Sequence, residues 1–189
     1  MGGLAGSQML IVEPVPAASV LVLRDDPLEV LMILRHENSS FVPGAWVFPG
    51  GAVDPQDGQP GTLDAARAAA IREVFEETAI RLGGELVPTS RWITPVGLPK
   101  RFDAWFFLAS VPRDIPVTLQ ESEAVDYVWI AAKDALARRR ELKMVFPQIS
   151  NLEHIANATS VTELLASRRG AKIEAIVELI LVDNKPVLP

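Results

Sequence analysis

The chain has 189 residues, 49% of them hydrophobic and only 6% aromatic, enough for one domain built around an aliphatic core. Its formal net charge is −6, and no run of lysine and arginine is long enough to track a phosphate backbone, which excludes duplex nucleic acid as a partner. It contains no cysteine, so disulfides, zinc–thiolate sites and thiol nucleophiles are excluded too.

Met1 to Met9 is small and nearly uncharged, without the basic start of a secretory signal. The most apolar runs, Ala17 to Leu23 and Leu179 to Val182, are too short to span a bilayer. A cytoplasmic protein with no membrane partner is expected. Val15 to Leu23 reads as a buried strand, Arg24-Asp25-Asp26-Pro27 as a turn and Leu28 to Arg35 as the second strand of a hairpin. His36 to Gly44 is a polar loop, and Trp46-Val47-Phe48 is a short extended run closed by Pro49-Gly50-Gly51. Ala52 to Gly61, rich in Asp, Gly, Gln and Pro, reads as an exposed loop.

From Leu63 to Leu82 the alanine- and glutamate-rich sequence has no breaker. It predicts a long helix with Thr62 as N-cap, Asp64 in the first turn and Gly83-Gly84 as the C-terminal cap. Arg91 to Val96, Ala104 to Val111 and Asp126 to Ile130 read as strands. Ala131 to Leu142, Ile149 to Ala156 and Val161 to Ser167 read as helices, and Ile173 to Val182 as extended. The order of elements predicts an α/β fold with a mixed sheet and helices on its faces. It is one domain over residues 1–189, with a core of about 15–165 and a C-terminal helical and extended addition.

The segment Arg72-Glu73-Val74-Phe75-Glu76-Glu77 carries the chemistry. At helical spacing Ile71, Val74, Phe75 and Thr78 share one face, and Glu73, Glu76 and Glu77 cluster on the other. Like charges at i, i+3 and i+4 destabilise a helix by roughly 0.2–0.5 kcal/mol per pair. Two readings are open: an ordinary acidic face, or a cluster neutralised by a divalent cation. Hard oxygen ligands suit Mg²⁺ or Mn²⁺.

With Phe48-Pro49-Gly50-Gly51 upstream, the segment resembles the Nudix box, G-x5-E-x7-R-E-U-x-E-E-x-G-U with U aliphatic. Seven residues separate Asp64 from Arg72, as the box requires. Asp64 stands in place of the box glutamate, Ala79 in place of its glycine, and the interval from Gly51 is lengthened, with the stretch Ala52 to Gly61 as the insertion. That combination is similar to a branch that includes coenzyme A diphosphatases. Trp46 to Asp54, Thr94-Pro95, Pro99-Lys100-Arg101-Phe102-Asp103 and Phe106-Phe107-Leu108-Ala109 extend the likeness, although Trp105 replaces an arginine common in that branch.

The resemblance implies a Nudix fold, a mixed β-sheet sandwiched between helices, and Mg²⁺- or Mn²⁺-dependent cleavage of a diphosphate in a small nucleotide substrate of coenzyme A, ADP-ribose or NADH type. It implies Glu73, Glu76 and Glu77 as metal ligands, with Glu73 alternatively the base. Gly51 adds a backbone carbonyl, and Arg72 holds the glutamates in place. Asp64 is expected either to pair with Arg72 or to favour the helix start. Ala79 is expected inside a helix that continues to Gly83, where alanine suits better than glycine.

Glu121 and Glu123 are candidate bases, and Lys100, Arg101 and Arg35 candidate phosphate contacts. His36 flanks the entrance or the surface, and His154 is structural. Trp46, Trp92, Trp105 and Trp129 belong in or beside the core, with stacking on a base the alternative for Trp105. A homodimer is an expected assembly, with Ile173 to Pro189 completing the sheet or pairing with another subunit. The competing function is a nucleotide sensor of the same fold without turnover. A prenyl-diphosphate isomerase is disfavoured because the best-known ones use a cysteine.

Overall fold

The computed structural model describes residues 12–39, 42–96, 98–176, 180–182 and 185–187. Met1 to Met9 and residues 177–179 of the extended run lie outside them. The β-branched and leucine-rich run Val15–Arg24 forms β1, the spine of an eight-stranded mixed sheet. On one side β1 pairs in parallel with β6 (Phe102–Ser110) along nine residues, from Val15 opposite Phe102 to Leu23 opposite Ser110. Its other side is divided. Ala17, Ala18 and Ser19 pair with β4 (Gly50–Ala52), while Leu23 and Arg24 pair with β2 (Glu29–Arg35). β2 in turn carries β3 (Trp46–Val47) and β7 (Ala124–Ile130), and β6 carries β5 (Val87–Ile93), which is followed by β8 (Ala175–Ile176). A separate two-stranded sheet joins β9 (Ile180–Val182) and β10 (Lys185–Val187).

Alternation along β1 sorts the core into two layers. Ala18, Val20 and Val22 face α1 (Leu63–Thr78), with Phe107 and Ala109 of β6 in the same layer. Leu21 and Leu23 face the opposite side, which is covered by α2 (Ala132–Ala137), α3 (Phe146–Ile155) and α4 (Val161–Arg168). The result is the helix–sheet–helix sandwich expected from the order of elements. Among the described residues, no helix is long and apolar enough to cross a membrane.

The packing of α1 departs from its sequence pattern. Ala65, Ala66, Ala69, Ala70 and Val74 are buried, whereas Ile71 and Phe75 are exposed. Four alanines let the helix backbone lie close to β1. That rotation turns Glu77 inward and leaves the larger apolar residues outside, where Phe75 lies under the Arg81 guanidinium at 4.2 Å.

The start of α1 is as expected, with the Thr62 hydroxyl accepting from Ala65 N–H at 3.2 Å. The end is not. α1 stops at Thr78, and Ala79 adopts the left-handed conformation at φ 57°, its N–H donating to Phe75 O at 2.8 Å. The expectation of a helix to Leu82 capped by Gly83-Gly84 is therefore corrected. The turn is enforced by what surrounds it. Ile80 enters the core beside α1, and the last helical carbonyls, Glu77 O and Thr78 O, accept from Gln120 N–H at 3.0 Å and Thr118 N–H at 2.9 Å. α2 likewise ends early, at Ala137, because Leu142 must turn into the core while its carbonyl accepts from Trp46 N–H at 3.0 Å.

A left-handed alanine is strained by its Cβ, whereas glycine is not. Ala79→Gly should stabilise the chain by roughly 0.5–1 kcal/mol, because relief of strain outweighs the extra freedom of the unfolded chain. The check is the urea midpoint at constant m-value. A helix running on to Leu82 would instead make the same change destabilising.

Candidate active site

Two glycines bring β4 against α1. At Gly50 (φ +152°) a Cβ would sit 2.2 Å from Ala18 O, and at Gly51 one would sit 2.4 Å from the Glu73 carboxyl carbon. At Gly50 the clash is with the β1 backbone, so a side chain there would move the strand; at Gly51 it is with the Glu73 carboxylate, which a side chain would displace. The close approach lets Gly50 N–H donate to Glu77 Oε2 at 2.8 Å.

Arg72 ties the same region together. Its Nε and Nη2 donate to both oxygens of Asp57, at 3.0 and 2.8 Å. Nη1 donates to Glu73 Oε1 at 2.7 Å and to Glu76 Oε2 at 2.9 Å, and Nη2 also reaches Ala52 O at 3.0 Å. The planar guanidinium fork suits this multiple engagement. Its hydrogen bonds hold the Asp57 carboxyl below the usual range, and Asp57 above all holds the Arg72 guanidinium further into its charged form. Of the two expectations for Asp64, pairing with Arg72 fails: it lies in the first turn of α1 with a 3.3 Å contact to Arg67 and an almost fully exposed side chain.

Asp57 is the residue that sequence reasoning missed, and a signal existed. Five residues separate Gly51 from Asp57, the spacing of the box, and fourteen separate Asp57 from Arg72. The added residues thus fall after the supporting carboxylate. Asp57 is delivered by a single 3-10 turn, Pro55–Asp57, in which Asp54 N–H donates back to Asp57 Oδ2 at 2.8 Å.

A cavity of about 500 Å³ opens beside this junction. Glu73, Glu77, Gly50 and Gly51 line one end together with Arg35 and Glu123. Glu77 is only 4% exposed. Burial above all, with Glu73 and Glu123 adding repulsion, pushes its carboxyl up to about 8, against the pull of the Gly50 N–H and Arg35. Burial likewise raises Glu73, opposed by its bond from Arg72. Glu123 is set in place by the segment that caps α1, through Gln120 N–H on Glu77 O and Glu123 N–H on Gln120 O at 2.9 Å. A second recess of about 430 Å³, behind α1 near Arg67 and Arg169, holds none of these carboxylates, and its Arg169 is paired with Glu85 at 2.7 Å.

The other expected contacts divide. Lys100 lines the cavity, its Nζ 5.3 Å from the Phe102 ring. Arg35 also lines it, with a buried Nε that meets no acceptor among the described residues. Arg101 does not face the cavity. It is 7% exposed and donates to Thr94 O in the β5–β6 turn at 2.9 Å and to Val12 O ahead of β1 at 2.6 Å, tying the two segments together. Trp105 does not either. Strand alternation puts Ala104 and Phe106 on the cavity side and Trp105 on the α1 side, under the Arg91 guanidinium at 5.1 Å. Glu121 is exposed, and its carbonyl accepts from His36 Nε2 at 2.6 Å.

Among the described residues no three acidic or histidine side chains converge as a ready-made metal cage. The trio Glu73, Glu76 and Glu77 is split: Arg72 engages the first two, and Gly50 N–H holds the third. The donor chemistry still suits a hard divalent cation. Glu73 and Glu77 present carboxylates at a cavity wall where Glu73 adds to the raised proton affinity of Glu77, and Mg²⁺ commonly takes one or two carboxylates with phosphate oxygens and water completing its shell.

Residues 13–148 match the family described as NUDIX domain. The chain belongs to that family. A Caenorhabditis elegans protein named, by assignment, nudix hydrolase 7 is 29% identical over 167 residues, covering 69% of this chain and 56% of that protein. The chain thus spans little more than half the length of that relative. A crystal structure of a NUDIX hydrolase from Alicyclobacillus acidocaldarius superposes with a TM-score of 0.73 at 24% identity, covering 82% of this chain and 96% of that one. A C. elegans Ap4A hydrolase in a binary complex gives 0.57 at 23% identity, covering 81% and 98%. At these identities the two structures show the fold.

Two outcomes follow from the geometry. Asp57→Ala removes the partner of a mostly buried guanidinium and should cost roughly 2–3 kcal/mol, whereas Asp64→Ala should stay within about 0.5 kcal/mol of the parent. Denaturant titration of both variants checks this, and equal losses would contradict the assignment of Asp57. The second outcome concerns pH in chelator. Between pH 4.5 and about 8 the folded chain keeps a proton on Glu77 that the unfolded chain has released, so stability falls as pH rises through that window. A melting temperature that declines from pH 5 to 8 in EDTA, with a flatter profile for Glu77→Gln, is the expected result.

Proposed function

We propose that the chain hydrolyses a diphosphate linkage in a nucleoside-diphosphate-linked compound of the coenzyme A, ADP-ribose or NADH type, with a divalent cation. The observation that carries this reading is the buried Glu77 carboxylate beside Glu73 at one end of a cavity whose other end is apolar. Such a cavity suits a ligand with a charged diphosphate and a bulky organic arm. Coenzyme A stands first among the substrates because the lengthened loop resembles the branch named above.

Glu73 and Glu77, with the Gly51 carbonyl, are the groups that would hold the cation, and Glu76 would be the third carboxylate. Mg²⁺ or Mn²⁺, when bound, neutralises charge on the phosphate oxygens and acidifies water. Arg35 and Lys100 bind the substrate phosphates from the cavity walls. Glu123 takes the proton from the attacking water. The water oxygen bonds to phosphorus, the bridging P–O bond breaks, and two phosphate monoesters leave. Arg72 touches no substrate and acts by fixing the carboxylates.

The test is phosphate-monoester release from coenzyme A, ADP-ribose, NADH and diadenosine polyphosphates, with Mg²⁺ or Mn²⁺ and with chelator. At least one should be cleaved only with the metal, and Glu77→Gln should lower that turnover about 100-fold or more. Tight binding of a panel member with no hydrolysis under any metal would replace this reading with a sensor.

A further inference from the structure

The turn that carries Glu123 has few anchors of its own. Glu121, Ser122 and Glu123 are all exposed, and among the described residues none of their side chains makes a hydrogen bond or ion pair. Glu123 nevertheless lines the cavity, near enough to Glu77 for its charge to act there. Neither burial nor a side-chain partner fixes that carboxylate, so its place is set by the backbone that bears it.

One side of the turn is tied to α1. Gln120 N–H donates to Glu77 O at 3.0 Å, and Gln120 O accepts from Glu123 N–H at 2.9 Å and from Ala124 N–H at 3.1 Å. The tip, Glu121-Ser122, is reached by none of these bonds. It is held from the opposite side by His36, whose Nε2 lies 2.6 Å from Glu121 O across 85 residues of sequence. A carbonyl oxygen only accepts, so Nε2 carries the hydrogen. The neutral Nε2–H tautomer and the imidazolium both donate there, so the bond survives either charge state of the ring.

His36 is itself firmly placed. It follows β2 directly, where Arg35 N–H donates to Ala45 O at 3.0 Å, and its own carbonyl accepts from Ser39 N–H at 3.1 Å and Gly44 N–H at 3.2 Å. The register of β2 on β7 brings it beside the turn. Leu34 faces Asp126 but Arg35 faces Ala124, which leaves Val125 as an extra residue on β7. Bulges of this kind re-aim side chains and are common next to active sites. Here the step sets Arg35 opposite the residue that follows Glu123, and both Arg35 and Glu123 line the cavity.

We infer that His36 is a positioning residue for the proposed hydrolysis: by holding the Glu121 carbonyl it fixes the turn that presents the Glu123 carboxylate to the attacking water. This role rests on the reading of Glu123 as the base. A single hydrogen bond of this kind adds little to overall stability. Its effect lies in placement, since a shift of about 1 Å in a reacting group can cost about 100-fold in rate.

The test uses the full-length protein with Mg²⁺ and whichever of coenzyme A, ADP-ribose, NADH and diadenosine polyphosphates it cleaves fastest. His36→Ala should lower kcat about tenfold while KM stays within about twofold of the parent. The amide nitrogen of glutamine stands as many bonds from the backbone as Nε2 does, so His36→Gln should restore kcat to within about twofold. Glu123→Gln should lose about 100-fold or more, and adding His36→Ala to it should cost nothing further, because the group it positions is gone. An unchanged kcat in His36→Ala, a loss that persists in the Glu123→Gln background, or a His36→Gln no better than His36→Ala would each overturn the inference. The tether is read without turnover by amide hydrogen exchange in chelator. Glu123 and Ala124 N–H should exchange about tenfold faster in His36→Ala and at the parent rate in His36→Gln. Equal exchange in the parent and His36→Ala would also overturn the inference. Faster exchange in a chain whose parent cleaves none of the panel sustains the tether while sinking the hydrolase reading.

Discussion

The contact between the Gly50–Gly51 strand and helix α1 is the constraint on which the rest of the site depends. It is a steric bargain between backbone and carboxylate. Gly51 has no Cβ, so the Glu73 carboxylate occupies the space where one would lie. Gly50 offers its N–H to Glu77, which would otherwise be a buried carboxylate without a local donor. β4 can sit there only because it pairs with Ala17, Ala18 and Ser19 of the central strand. α1 can come close to the same stretch because four alanines line its inner face. Sheet register, helix composition and glycine placement thus converge on one point, and none of them alone would put two glutamates at a cavity wall.

Charge at that point is balanced by division. Arg72 sits between Asp57, Glu73 and Glu76, and its geometry satisfies all three from one fork. Glu77 is left with a neutral donor and with Arg35 as its charged neighbour across the cavity. The asymmetry matters. Glu73 and Glu76 share the Arg72 guanidinium, whereas Glu77 is buried, raised in proton affinity and crowded by Glu73 and Glu123.

How much of this was legible in the sequence can be judged residue by residue. The strands and the start of α1 were readable because local rules govern them: β-branched runs for β1 and β2, and a threonine hydroxyl for the N-cap. The end of α1 was not. Its sequence has no breaker through Leu82, and the stop is imposed by a distant segment, residues 118–120, that takes the last carbonyls. Arg101 and Trp105 looked like ligand contacts from their place beside a turn and in a strand. Their orientation was decided by β6 pleating and by the Thr94 and Val12 carbonyls, the latter far away in sequence, which a single sequence does not display. Asp57 was hidden by the rival spacing of Asp64, since each satisfies one half of the box. Only the fold shows that spacing from the glycine matters more here than spacing from the arginine, because Asp57 and Gly51 ride on the same short stretch of chain while the added residues loop out between Asp57 and the helix.

Between its two ends the cavity is floored by small residues. Ala17 and Ala104 are adjacent in β1 and β6, the longest strand pair in the sheet, where larger β-branched residues would ordinarily be favoured. On the other face Ala18, Val20, Val22 and Phe107 pack against α1. On the α1 side the small residues of the strand are met by the alanines of the helix, whereas on the cavity side the row Ala17–Ala104 leaves open space. That open space costs stability, at roughly 25 cal/mol per Å² of apolar surface left uncovered. Ala52 pairs with Ala17 and Trp92 with Ala104, so the separation of the two ends of that row, Ala52 and Trp92, is fixed by strand spacing, the least adjustable dimension in the fold.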